Sequence, residues 1–91
     1  MNLQSASDIA VSGLQYLAGD SEQLSRFVAL SGISPSDMRE FAQTPEFMIA
    51  VLEYFLGDEP TLLAFAASSH LDPADVAKAK HALDPAGSVE F

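Results

Sequence analysis

Residues 47–56 read Phe47-Met48-Ile49-Ala50-Val51-Leu52-Glu53-Tyr54-Phe55-Leu56, and nine of these ten are apolar or aromatic. Thr44-Pro45-Glu46 precedes them with a capping residue, a proline suited to the first helical position and a first-turn acid. Gly57 follows as a helix stop. A helix this apolar must be buried, and it is shorter than the roughly 20 residues that span a bilayer. The stretch therefore predicts the central helix of a small bundle.

Turn and capping residues divide the rest of the chain into five further short helices. These residues are Gly19-Asp20, Gly32, Ser34-Pro35, Asp58 and Asp72-Pro73. The first helix is expected to begin near Ser7, and Asp20 to Gln23 resembles a capping box. We expect an all-α fold of six short helices in one domain over residues 1–83, followed by a mobile tail at 84–91.

The sequence aligns with itself at a shift of 38 positions, so that Asp8–Ala42 matches Glu46–Lys80 with ten identities in 35 pairs. The identical residues include the Gly-Asp between helices and the Pro-x-Asp that opens the third helix of each half. This predicts two tandem three-helix repeats, at about 7–42 and 45–83, each burying its apolar face against the other.

The alignment also suggests roles for single residues. His70 aligns with Gly32, so we expect it to occupy a left-handed helix end rather than a ligand site. The first helix carries Ser12 and Gly13 where the central helix carries Ala50 and Val51, which predicts that the first helix is the outer of the two. Four residues of the fifth helix are expected to face inward: Leu62, Leu63, Phe65 and Ala66.

Thirteen acidic and four basic residues give a net charge of −9. This charge repels nucleic acid and anionic membranes at long range. Most of the acids, from Asp8 onward, fall where helix caps and first turns are expected, so a structural role explains them. The absence of cysteine excludes disulfides and thiolate sites. The first five residues are neither basic nor strongly apolar, which favours the cytoplasm.

No glycine-rich phosphate loop or serine elbow occurs in the sequence, so we expect no catalytic residue and no cofactor. His81 and Asp84 are too few for a metal site. Glu53 is the one acid within an apolar helix. It is interpreted first as marking a solvent-facing strip, and alternatively as the centre of a small-ligand site between the repeats.

The second helix, the turn at Ser31 to Ser34 and the third helix have the outline of a helix-turn-helix. The sixth helix, with Lys78, Lys80 and His81, is the better candidate for recognition. The net charge disfavours nucleic-acid binding, which remains an alternative function.

Three segments resemble a small alphaproteobacterial family known as domain of unknown function 3572. They are Tyr16–Asp20, Arg26–Pro35 and Val51–Leu56, and Leu-Ser-Gly-Ile-Ser-Pro at 30–35 is the most specific part. The resemblance covers nearly the whole chain, from about Ser7 to Leu83. It implies a bacterial, cytoplasmic, helical protein and supplies no catalytic residues.

The predicted function is a small acidic protein-interaction module without catalytic activity, whose partner is an unidentified protein or a second copy of the chain. Apolar residues expected to be exposed on the third and sixth helices form the candidate surface. That surface comprises Met38, Phe41, Val76 and Lys80.

Overall fold

A computed structural model describes residues 1–42 and 44–85, without the side chains of Pro35 and Arg39. Within these residues the chain forms six α-helices and no strands. They are α1 (Leu3–Ala18), α2 (Ser21–Ser31), α3 (Pro35–Phe41), α4 (Pro45–Leu56), α5 (Glu59–Ser68) and α6 (Pro73–Leu83). The all-α prediction is confirmed. The predicted tail lies outside the described residues except for Asp84 and Pro85.

Short side chains begin the helices where the sequence predicts. Asp20, Ser34, Thr44, Asp58 and Asp72 each accept a hydrogen bond from a backbone N–H of the following turn. These contacts satisfy donors that the helix itself leaves unpaired. Five of the six helices in the described chain therefore begin at the capping residues that the sequence predicts.

The start of α1 differs from the prediction. Asn2 caps this helix by accepting a hydrogen bond of 2.8 Å from the Ser5 N–H, so α1 begins at Leu3 rather than near Ser7. Asp8 therefore lies inside the helix, where it accepts a hydrogen bond of 3.0 Å from the Gln4 amide. Its predicted role in a first turn is wrong.

The capping box expected at α2 forms only in part. Asp20 accepts from the Glu22 and Gln23 N–H groups, but the Gln23 side chain accepts a hydrogen bond from the Tyr54 hydroxyl instead of returning to the cap. A complete box occurs at α6, between Asp72 and Asp75. The Gln23 amide therefore joins α2 to α4.

The α4 helix is central, since it packs against α1, α2, α5 and α6. Its buried side chains are Phe47, Val51, Leu52, Tyr54 and Phe55. Glu53 lies on a solvent-facing strip with 57% of its side chain exposed, as its first interpretation predicts. None of the helices in the described part of the chain has the length and apolar character needed to cross a membrane.

Of α1 and α4, the α1 helix is the outer one, as predicted, since one face that includes Leu3, Val11 and Gln15 is exposed. Its other face packs closely on α6 and α4, and Gly13 lies on this buried face. Gly13 makes the approach possible, because a Cβ atom there would lie 2.9 Å from Phe55 Cε2 and 3.0 Å from Val51 Cγ1. The glycine therefore marks a close helix contact rather than an exposed face.

Aromatic rings connect four helices through the core. Phe55 stacks on Phe65 with ring centroids 4.4 Å apart and also contacts Tyr16 and Tyr54. Tyr16 lies 5.7 Å from Phe65, and Tyr54 lies 5.7 Å from Phe27. Tyr16 and Tyr54 are 38 positions apart, and so are Phe27 and Phe65. Each of these two ring contacts therefore joins the tyrosine of one half of the sequence to the phenylalanine of the other half. The tandem repeat itself stays a prediction.

Two expectations about single residues have opposite outcomes. His70 has a φ of 56° and Gly32 a φ of 76°, so the left-handed conformation predicted for both is confirmed. Leu63 does not face inward, since 48% of it is exposed. Thr61 is buried in α5 instead, where its hydroxyl donates a hydrogen bond to the Asp58 carboxylate that caps the helix.

Candidate functional site

Phe41 ends α3 at a corner that Thr44 fixes. The Thr44 N–H and hydroxyl both donate to the Phe41 carbonyl oxygen, at 2.9 and 2.8 Å, and the same hydroxyl accepts from the Phe47 N–H at 3.2 Å. One threonine thus ties the end of α3 to the start of α4. The corner leaves 45% of Phe41 exposed, which is a large apolar area to leave in water.

Beside Phe41 lies a cleft of about 290 Å³, called here the α3–α4 cleft. It is lined by Ile33, Phe41, Thr44, Glu46 and Phe47. Phe47 forms part of the core, whereas Glu46 is exposed at the start of α4. The cleft is therefore an apolar recess with a carboxylate on its rim, and it has the volume of a single large side chain or more.

A second recess of about 320 Å³, called here the α2–α4 groove, runs between α2 and α4. Its lining is partly apolar and partly charged: Arg26, Phe27, Leu30, Ser31, Ala50, Glu53, Tyr54, Gly57 and Asp58. Leu30 is 74% exposed, more than any other large apolar residue of the described chain. The groove therefore has an apolar rim on one side and carboxylates on the other.

The two recesses share a wall inside the protein. Phe27 lines the α2–α4 groove and Phe47 lines the α3–α4 cleft, and their rings meet edge to face with centroids 5.9 Å apart. Tyr54 also lines the groove, its hydroxyl donates to Gln23, and burial raises the pKa of this phenol. Both recesses thus have part of the packed aromatic core as their base.

Asp58 closes one end of the α2–α4 groove and caps α5. The Thr61 hydroxyl and N–H both donate to its Oδ2 atom, and Arg26 lies near enough to act on its charge. Chiefly the hydrogen bond from the Thr61 side chain holds the pKa of Asp58 below its ordinary value of 3.8. The carboxylate is therefore better stabilised in the folded state than in the unfolded state.

This lowered pKa predicts how Asp58→Asn changes stability with pH. The native state binds fewer protons at this site than the unfolded state, so the charged form stabilises the fold above pH 3.8. That contribution is lost as the pH falls through the native pKa. We expect the urea midpoint of the wild type to exceed that of Asp58→Asn at pH 7, and the difference to shrink below pH 3.8.

Urea unfolding followed by circular dichroism at both pH values measures this difference, with Glu59→Gln as a matched loss of one carboxylate. A difference between wild type and Asp58→Asn that stays constant from pH 7 to pH 3 would contradict the assignment.

Lys80 connects the groove to α6. Its Nζ atom lies 3.6 Å from Glu53 Oε2, and 24% of the Lys80 side chain and 57% of the Glu53 side chain are exposed. Pairs this exposed contribute little to stability, so Glu53 can exchange its partner at low cost. Glu53 lines the α2–α4 groove at the surface. Ligand binding at this residue stays a prediction.

No group of three or more His, Asp or Glu side chains in the described residues is arranged to hold a metal ion.

A family model described as "Protein of unknown function (DUF3572)" matches residues 3–86. The chain belongs to this family. No curated protein and no solved structure matches it significantly. Membership of the DUF3572 family confirms the resemblance seen in the sequence, while the alphaproteobacterial source stays a prediction.

In this DUF3572 protein, two residues of the predicted surface are not at the surface. Val76 is fully buried in α6, and Met38 is buried on the inner side of α3. The small residue Ala79 is also buried, and α6 lies close to α1 and α4, so these neighbours cover Val76. The prediction that Met38 and Val76 form an exposed contact surface is wrong.

The other two residues of the predicted surface are Phe41 and Lys80. Phe41 is exposed as expected, whereas Lys80 is only partly exposed and is paired with Glu53. Leu30 is the residue that sequence reasoning missed. It lies beside the stripe of Leu24 and Phe27 and one residue from the end of α2, where no further turn follows to cover it. Its position next to the helix end is the signal that indicates exposure.

Proposed function

We propose that this protein is a non-enzymatic interaction module that binds a partner protein through the α3–α4 cleft. The observation that carries the proposal is Phe41, a nearly half-exposed aromatic residue that lines an apolar recess. Aromatic residues at the rim of such recesses are typical of the few positions that dominate interface energies.

A fixed backbone supports the proposal. Two hydrogen bonds from Thr44 hold the Phe41 carbonyl, so the main chain that carries the ring does not have to be ordered on binding. The buried ring of Phe47 forms the floor of the cleft, and contact with Phe27 keeps it in place. A partner side chain entering the cleft meets a preformed site rather than one that must be assembled.

The test is affinity capture from the native host with wild type, Phe41→Ser and Leu63→Ser, followed by mass spectrometry. Phe41 and Leu63 are similarly exposed, at 45% and 48%, but lie on different helices, so the second variant controls for loss of surface apolarity. We expect Phe41→Ser to reduce recovery of a specific protein by about tenfold or more, since a lost anchor costs about 2 kcal/mol or more. Leu63→Ser should recover it as the wild type does.

Circular dichroism of both variants checks that each is folded. Equal recovery of every protein by the two variants would contradict the role of Phe41. Sedimentation of the pure protein tests whether the partner is a second copy of the chain. In that case the wild type is a dimer and Phe41→Ser is a monomer.

A further inference from the structure

The exposed strip of α4 joins the α3–α4 cleft to the α2–α4 groove. Glu46 lines the cleft, while Ala50, Glu53 and Gly57 line the groove. Their spacing of four, three and four residues places them on one face of the helix. At 1.5 Å per residue this face is about 16 Å long, which equals three turns of a helix laid beside it.

Each recess along this strip has its own exposed apolar residue. Phe41 borders the cleft and Leu30 borders the groove, with 45% and 74% of these residues exposed. The Phe27–Phe47 ring contact forms the common wall beneath them. Two apolar sites on one rigid base suit a partner that carries two apolar side chains at a fixed separation. An amphipathic helix provides this through residues spaced at i, i+3, i+4 and i+7.

Charge on the strip indicates the polar face of such a partner. Glu46 and Glu53 lie on the strip itself, and Asp58 lies beyond its far end, whereas Arg26 is the one cation among the described residues that line the groove. Glu40, next to Phe41, is also exposed. Glu53 is the exposed member of its pair with Lys80, so water weakens the pair and a cation from a partner can compete with Lys80 for this carboxylate.

Long-range electrostatics act in the same direction. The chain carries a net charge of −9, and a field of this sign attracts basic segments and repels acidic ones. The apolar sites would supply most of the affinity, and the carboxylates would supply orientation and association rate.

We propose that the α4 strip binds an amphipathic helix whose apolar face enters the cleft and the groove and whose flanking residues are Lys or Arg. This proposal rests on the proposed interaction function and specifies the chemical class of the partner. The α3–α4 cleft, bordered by Phe41, and the α2–α4 groove, bordered by Leu30, are the two ends of one site.

The probe is a fluorescein-labelled peptide of about 16 residues, long enough to cover the strip. It carries Leu at helix positions i, i+4, i+7 and i+11 and Lys at the flanking positions. One matched peptide replaces the Leu residues with Ser and keeps the charge, and another replaces Lys with Glu and keeps the apolar face. Fluorescence anisotropy measures binding of each peptide to the wild-type protein.

Of the three peptides, we expect only the one with Leu and Lys to bind. Its affinity should fall as the salt concentration is raised. Phe41→Ser and Leu30→Ser should each weaken binding about tenfold, and Leu63→Ser should not. Glu46→Lys should also weaken it, through a slower association rate. Binding that Leu63→Ser weakens as much as Phe41→Ser, or that the Leu-to-Ser peptide retains, would be non-specific attraction to an acidic protein and would overturn the proposal.

The two proposals fail separately. If affinity capture depends on Phe41 while Leu30→Ser and the charge of the peptide have no effect, the interaction function stands and the basic helix is wrong. If capture is independent of Phe41, the interaction function fails whatever the peptide does.

Discussion

Phe55→Ala should lower the free energy of unfolding by about 3–5 kcal/mol, the usual cost of removing a buried phenylalanine side chain. The Phe55 ring is completely buried, stacks on Phe65 at 4.4 Å and meets Tyr16 and Tyr54 at 5.8 and 5.5 Å. Its loss therefore leaves a cavity between α1, α4 and α5 that neighbouring side chains cannot fill. Domains are stable by only about 5–15 kcal/mol, so this one change removes a large share.

Urea unfolding measures the effect, with two matched variants. Phe55→Leu keeps most of the buried volume and should lose less, so it reports on the site even if Phe55→Ala does not fold. Phe41→Ala removes the same atoms from a nearly half-exposed position and should have a much smaller effect. A loss at Phe55 no greater than the loss at Phe41 would show that the aromatic cluster is not the centre of stability.

Gly13→Val should lower the free energy of unfolding by about 1–3 kcal/mol through overpacking. The new Cβ would lie 2.9 Å from Phe55 Cε2 and 3.0 Å from Val51 Cγ1, closer than carbon atoms approach without strain. Phe55 cannot move aside because Phe65 and Tyr54 hold its ring. Valine is used because the helix propensity of alanine, about 1 kcal/mol above glycine, would offset part of the strain.

Gly19→Ala is the control for this prediction. Gly19 lies at the end of the same helix, is exposed and has a φ of −84°, and a Cβ there would come no closer than 3.6 Å to the Gln15 carbonyl oxygen. Its thermal midpoint should stay near that of the wild type. A Gly13→Val protein as stable as Gly19→Ala would mean that α1 and α4 can separate without cost.

Helix boundaries can be predicted from the sequence because they depend on neighbouring residues. The caps at Ser34 and Thr44 and the left-handed His70 need only a short side chain or a turn within a few positions. The predicted start of α1 is wrong because Asn2, near the beginning of the chain, is the residue that caps the helix. At the helix starts, the sequence is sufficient wherever the capping residue is recognised.

Packing between distant helices cannot be predicted in the same way. A glycine inside a helix is compatible with an exposed face and with a close contact, and only the positions of Val51 and Phe55 decide between them. Gly13 therefore does not by itself distinguish an outer helix from an inner one. The polar residue Gln15 near it on α1 marks the exposed face of the helix, whereas Gly13 lies on the face that packs on α4.

The same limit applies to the candidate site. Phe41, Met38 and Val76 all lie on weak apolar stripes, and the sequence does not distinguish a stripe that a neighbour covers from one that stays open. The chain turns at Thr44 in a way that leaves Phe41 exposed. At Ala79 the neighbouring helices come close enough to cover Val76. Leu30 escapes prediction because it lies next to the stripe of its helix, where exposure depends on the path of the chain after the helix end.

The ring cluster gives the chain a natural spectroscopic reporter. The sequence contains two tyrosines and no tryptophan, and both tyrosines lie in that cluster, Tyr16 on α1 and Tyr54 on α4. Near-ultraviolet circular dichroism of the protein therefore reads the packing of its core without any added label. Replacing Tyr16 with phenylalanine leaves the tyrosine signal of α4, and replacing Tyr54 leaves that of α1. Comparing the two single-tyrosine proteins would reveal whether α1 and α4 lose their packing in one cooperative transition.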